Sequence, residues 1–265
     1  MLCMTVSLKP PYGGQCLFCG SRQSLTDEHV ISRGVRSQMP KMLRVQAIAG
    51  DNPFAKERNV LHVVLKKSVC KICNGGWMGR LETSFLGIFS NQLAKPVPRR
   101  LDPIMQERVA TWAAKTALLL MLYTEFSSLG SSGYVPDDNL RWLYDHQNPP
   151  SLPPGTKVWI GTVANPGNRP VFHQAAALGV GPNNPVTAYF ATFTLGYFIF
   201  QVFGHDVYDA AGVLSMNPPV VLPNTLSGTL VEIWPGNGDE IVWPTSTPVF
   251  AEIVPRLHLW PSGIS

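Results

Sequence analysis

Two Cys-x-x-Cys pairs constrain this 265-residue chain more than any other feature. The first is Cys16-Leu17-Phe18-Cys19 and the second Cys70-Lys71-Ile72-Cys73. Each short loop can present two thiolates to one metal, and two such loops can close a tetrahedral Cys₄ zinc site. The fold must then bring the two loops together, whatever the chain between them does. A closed four-thiolate shell leaves no position for water, so the expected metal holds structure and performs no chemistry. Cys3 lies outside both pairs. Metal-binding thiolates suit a reducing compartment, so a cytoplasmic location is expected. Met1 to Pro10 also lacks the charged start and long apolar run of a secretory signal.

Asp27-Glu28-His29 lies between the pairs, and Asn74 follows the last cysteine directly. Zinc would fix the Asp-Glu-His stretch against the start of a helix after Asn74. An imidazole, a carboxylate and an amide oxygen would then stand near one another, as metal-assisted phosphodiester cleavage requires.

The segments Cys16-Leu17-Phe18-Cys19-Gly20, Leu25-Thr26-Asp27-Glu28-His29-Val30-Ile31 and Cys70-Lys71-Ile72-Cys73-Asn74 together resemble the zinc-containing branch of the HNH endonuclease superfamily. The continuation Gly75-Gly76-Trp77-Met78-Gly79-Arg80-Leu81-Glu82 looks like a bacterial and phage subgroup of it. The resemblance implies an N-terminal ββα-metal (His-Me finger) module with structural zinc. It implies His29 as the general base that activates the attacking water. It implies Glu28 and Asn74 as ligands of a second, hard cation, Mg²⁺ or Mn²⁺, for which oxygen donors are suited. Asp27 is either an alternative ligand or a turn residue opening the strand. Two positions depart from the family pattern: many relatives have Asp in place of Glu28 and His in place of Asn74, and both changes keep a donor atom. The family's middle Asn, which orients the base, has no counterpart in Leu65-Lys66-Lys67-Ser68; Asn59 and His62 are the candidates to replace it.

The charge is unevenly spread. Residues 1–100 hold 15 Lys or Arg against 5 Asp or Glu, a formal +10, and residues 101–265 hold 6 against 12, a formal −6. A basic module next to an acidic one points to a polyanionic partner for the first; the resemblance implies nucleic acid, with double-stranded DNA the expected form. Arg33, Arg36, Lys66, Lys67, Lys71 and Arg80 are the candidate phosphate contacts, which give affinity without sequence readout. Trp77 sits on the apolar face of its helix and reads as core.

The remaining chain reads as α+β. Trp77, Leu81, Phe85, Ile88 and Phe89 recur at helical spacing, predicting a helix to about Leu93. Lys95 to Asp102 is the candidate linker, dividing an HNH-like zinc module at 1–98 from an accessory domain at 99–265. Asp102-Pro103 reads as N-cap and first helical residue. The long helix that follows, to about Phe126, should show one apolar face through Met105, Val109, Trp112, Thr116, Leu119 and Tyr123. A second helix is expected over Pro136–His146. β-patterned segments follow at 157–163, 171–178, 186–194, 197–203, 229–234 and 249–254, predicting an antiparallel sheet. Val186–Phe203 carries no charge over 18 residues, but its threonines, aromatics and Gly196 read as two buried strands and not as a membrane span. The functional expectation is a metal-dependent HNH endonuclease acting on DNA. The alternative is a non-catalytic zinc-stabilised module that binds nucleic acid or protein. The second region could serve dimerisation, target choice or sensing.

Overall fold

The computed structural model describes residues 4–7, 13–39, 63–126, 137–166, 172–180, 185–205, 229–245 and 247–249. Cys3, Asn59, His62 and the strand expected beyond Val249 lie outside these residues. The architecture is α+β: short helices and one long one, with three small to medium sheets.

The first sheet holds β1 (Met4–Ser7), β2 (Leu25–His29) and β3 (Val63–Cys70) in the order β1-β3-β2. β1 runs parallel to β3 and β2 antiparallel to it. Helix α1 (Arg33–Ser37) follows β2 and starts on a Ser32 cap, whose hydroxyl accepts from the Val35 N–H at 3.3 Å. β3 leads directly into α2 (Lys71–Cys73), a π-helical turn (Asn74–Met78) and α3 (Gly79–Phe89). The helix therefore begins before Asn74, and Gly76 leaves helical geometry inside the turn, at φ −91° and ψ −108°. Two consecutive glycines are the physical reason, because they tolerate the local distortion at low steric cost.

The expected linker is not free of structure. Its Arg99–Leu101 forms strand β4, which pairs antiparallel with β10 (Ile241–Trp243) near the other end of the chain. Asp102 then caps α4 (Pro103–Phe126): its Oδ1 accepts from the Met105 N–H at 2.7 Å. Helix α5 (Asp137–Asp145) follows. The largest sheet is fully antiparallel, in the order β6-β7-β8-β5-β9, from β5 (Lys157–Thr162), β6 (Phe172–Val180), β7 (Pro185–Leu195), β8 (Phe198–His205) and β9 (Leu230–Trp234). β7 and β8 meet at Gly196, whose φ of +57° suits glycine and where a Cβ would come within 2.6 Å of the Leu93 carbonyl oxygen. No helix among the described residues is long and apolar enough to cross a membrane.

α4 departs from the one-faced helix expected. Every residue from Val109 to Tyr123 is buried. The reason is its position: it packs against α3, α5 and β3 and also against β5, β7, β8 and β9. A helix covered all round needs no polar face. Aromatic side chains carry the packing across it. Phe85 of α3 stacks on Trp112 of α4 with ring centroids 3.7 Å apart, and Trp112 meets Phe200 of β8 edge-on at 5.8 Å. Phe89 of α3 contacts Phe198 at 4.6 Å, and Phe198 stacks on Trp243 at 4.1 Å. One continuous cluster of buried side chains thus runs from Cys16 and Phe18 to Trp243.

Candidate functional site

The four paired cysteines come together. Their sulfur atoms all lie within 4.8 Å of one another, and Cys19 Sγ is 3.6 Å from Cys70 Sγ. A tetrahedral ZnS₄ centre with Zn–S near 2.3 Å has sulfur–sulfur edges of about 3.8 Å. The cluster therefore fits a zinc ion, and none of the four cysteines is in a disulfide. Local backbone bonds build it. The first loop closes through Cys16 N–H to Ser21 O at 2.7 Å and Gly20 N–H to Cys16 O at 2.9 Å. Leu17 N–H donates to Ser68 O and Lys71 N–H to Ser24 O, each at 2.9 Å, which ties the loop to the end of β3. Phe18 then packs edge-on against the buried Trp77, with centroids 5.1 Å apart. The Cys73 side-chain hydrogen bond holds the Cys16 thiol down to about 4, and the same bond pushes Cys73 above its ordinary value. Burial raises Cys19. A metal bound here would take the cysteines as thiolates and release their protons.

A second group of residues lies beside this cluster. Asp27, Glu28, His29, Ser32, Arg33, Asn74, Met78, Gly79, Glu82 and Lys115 line one cavity of about 110 Å³. β2 and the start of the helix supply its opposite walls. Between Thr26 and Glu28 the β2–β3 register shifts, so that Lys66, Lys67 and Ser68 face Asp27 alone. Lys67 there adopts φ +48°. Asp27 braces this bulge: it accepts from Lys66 Nζ at 2.8 Å and from Lys67 N–H at 3.1 Å. The Lys66 hydrogen bond holds the Asp27 carboxyl below the usual carboxylate range.

The orientation of Asn74 follows from its neighbours. The Thr26 hydroxyl donates to Val69 O at 2.8 Å, so its oxygen can only accept from Asn74. Asn74 Nδ2 accordingly donates to Thr26 Oγ1 at 2.9 Å and, more weakly, to the Asp27 carbonyl at 3.4 Å. With the amine end committed, Oδ1 is the end left for a cation.

Glu28 is buried, and burial pushes its carboxyl up to about 7, with Lys115 opposing the rise and Glu82 adding to it. His29 is partly buried. Desolvation first, then the charges of Arg36 and Arg33, hold its imidazole below its ordinary value. It is therefore neutral near pH 7, with a lone pair able to take a proton. Glu28, Asn74 and Glu82 all line this cavity, and among the described residues the buried Glu82 Oε1 has no hydrogen-bond partner.

Two charged wall residues were not anticipated. Glu82 comes from α3, and Lys115 from the middle of α4, with its side chain fully enclosed. Lys115 had a readable signal: it is the lone charge in the buried stretch 109–123 of α4, and such a charge requires a partner.

The six basic candidates are spread out. Arg33 lines the cavity, and Arg36 is near enough to act on His29. Lys66 is engaged by Asp27. Lys67, Lys71 and Arg80 are exposed, and Arg80 Nη2 reaches Gln147 Oε1 at 3.4 Å. Comparisons of this chain with protein-family models, with curated proteins and with solved structures give no match.

Proposed function

We propose that this chain is a metal-dependent HNH-type endonuclease that hydrolyses phosphodiester bonds in DNA, with β2, β3 and α3 as a ββα-metal module. The observation that carries this reading is the shared cavity: His29, Glu28 and Asn74 line one small space, braced by a cysteine cluster fit for zinc. The basic character of residues 1–100 supports a polyanionic substrate.

In this reading the neutral His29 imidazole takes a proton from water as the water oxygen bonds to phosphorus. The bond from phosphorus to the leaving oxygen breaks, and that oxygen takes up a proton from solvent. Glu28 and the Asn74 amide oxygen would hold Mg²⁺ or Mn²⁺, which when bound would neutralise charge on the phosphate. Thr26 engages the amine end of Asn74, which leaves the amide oxygen for the cation. Arg33, which lines the cavity, would contact a phosphate oxygen.

One observation favours the alternative, a non-catalytic zinc-stabilised binding module: the Lys115 ammonium already stands within ion-pair reach of Glu28. Plasmid nicking or cleavage with added Mg²⁺ or Mn²⁺ separates the two readings. The wild type should cleave, and His29→Ala should lose about 10²–10⁴-fold in rate while keeping its zinc, its fold and its DNA binding. Equal rates in the two proteins would refute the catalytic assignment of His29. DNA binding without cleavage by the wild type would favour the binding module.

A further inference from the structure

Lys115 projects from the fully buried stretch 109–123 of α4 and reaches the cavity with no exposed surface. Its Nζ is 4.0 Å from Glu28 Oε1 and 3.8 Å from Glu82 Oε1. Both distances are within ion-pair reach and beyond a hydrogen bond. Neither Lys115 Nζ nor Glu82 Oε1 has a hydrogen-bond partner among the described residues. An ammonium satisfied by its neighbours would close to hydrogen-bond distance of at least one of them. Instead it stands off from two carboxylates that arrive from different elements, β2 and α3, and all three side chains line the same space.

Two carboxylates facing one cavity can contribute ligands to a divalent cation where the charges balance. Glu28, Glu82 and Lys115 together carry one net negative charge when ionised. A divalent cation turns that into one net positive charge, which a phosphodiester's single negative charge neutralises. Without Lys115, the carboxylates and the cation would cancel each other, and no net charge would remain to hold the phosphate.

We propose that Glu82 completes, with Glu28, the carboxylate pair that holds the divalent cation, and that the buried Lys115 ammonium is an internal counter-cation of this pair. Lys115 weakens the site for metal and keeps the loaded site attractive to a phosphodiester. This assignment rests on the nuclease reading for its substrate, and on the carboxylate pair alone for its metal.

The test is a Mn²⁺ titration of the zinc-loaded full-length protein, with free Mn²⁺ read by electron paramagnetic resonance. Lys115→Met should bind Mn²⁺ about tenfold or more tighter than the wild type, because a positive charge facing both carboxylates is removed. At saturating Mn²⁺ the same variant should cleave DNA more slowly. A merely structural lysine would give the opposite for the metal, since its loss would loosen the site. Glu82→Gln should bind Mn²⁺ about tenfold or more weaker with zinc content unchanged, and this arm decides alone if Lys115→Met does not fold. Unchanged or weaker Mn²⁺ binding in a folded Lys115→Met, or unchanged binding in Glu82→Gln, overturns the proposal. A wild type that binds Mn²⁺ in the expected pattern and cleaves nothing upholds the carboxylate pair and removes the nuclease. A wild type whose cleavage depends on His29, with Mn²⁺ affinity indifferent to both variants, keeps the nuclease and removes the pair.

Discussion

Lys115 of α4 and Glu28 of β2 face each other at 4.0 Å, both closed off from solvent. The contact joins the middle of the long helix to the strand that carries His29. Glu28 alone would be a buried carboxylate facing Glu82, and burying charge without a counter-charge is costly. The cavity next to the cysteine cluster is thus completed by a residue from beyond the Pro- and Arg-containing stretch at 95–102. Aromatic packing crosses the same position, through the Phe85–Trp112 stack.

This packing predicts how the chain unfolds. The full-length protein should lose its structure in one cooperative transition, with far-ultraviolet circular dichroism and tryptophan fluorescence changing together. Trp112→Ala should cost about 3–5 kcal/mol and shift both probes by the same amount. Two separable transitions, only one of them moved by Trp112→Ala, would show that residues 1–98 fold independently.

The cysteine cluster predicts about one zinc per chain, measured by metal analysis of the purified protein. Cys16→Ser or Cys73→Ser should lose the zinc and lower stability by several kcal/mol, because metal binding at such a site is folding energy. Retention of zinc in both variants would place the metal elsewhere.

Much of this framework is legible from local signals. The spacing of Cys16, Cys19, Cys70 and Cys73 is a local chemical signature, and so is the Asp102-Pro103 cap that opens α4. The strands of the large sheet announce themselves through β-branched and aromatic runs broken at Gly196. Glu82 and Lys115 are different. Nothing near Lys115 in sequence is its partner: Glu28 and Glu82 come from other elements, and only tertiary packing joins them. The pairing of β4 with β10 is hidden for the same reason, since Arg99 and Trp243 lie far apart in the chain. The π turn over Asn74–Met78 reads as ordinary helix because hydrophobic periodicity is blind to one distorted turn; the Gly75-Gly76 step was its local sign.

Thr26 supplies a test of how Asn74 is held. Its hydroxyl is the short hydrogen-bond partner of Asn74 Nδ2, at 2.9 Å. Thr26→Val keeps the shape and removes the acceptor. It should lower stability by about 1 kcal/mol and reduce metal-dependent cleavage about tenfold, an order-of-magnitude figure for a misplaced group that holds a ligand in position. Zinc content should be unchanged. Wild-type cleavage in this variant would show that the hydroxyl does not orient Asn74.

His29 gives the pH prediction. Burial and the nearby Arg36 and Arg33 charges disfavour the imidazolium, so the His29 imidazole should titrate below its ordinary value of about 6.5. A cation bound at Glu28 would push it further in the same direction. The protein should therefore keep the proton-accepting form of His29 from neutral pH down through the range in which an exposed histidine charges. Removing one of the positive neighbours reverses part of the shift: in Arg36→Gln the titration should move upward, toward the ordinary value, because the imidazolium no longer meets that repulsion. The measurement is an NMR titration of the histidine ring protons, with the His29 signal identified by its loss in His29→Gln. It reads the group directly, whether or not a substrate is known. If the reading of His29 as general base also holds, the acid limb of the cleavage rate should follow the same titration and move with it in Arg36→Gln. A His29 signal that titrates above the ordinary range, or that moves down when Arg36 is neutralised, would contradict the electrostatics of the site.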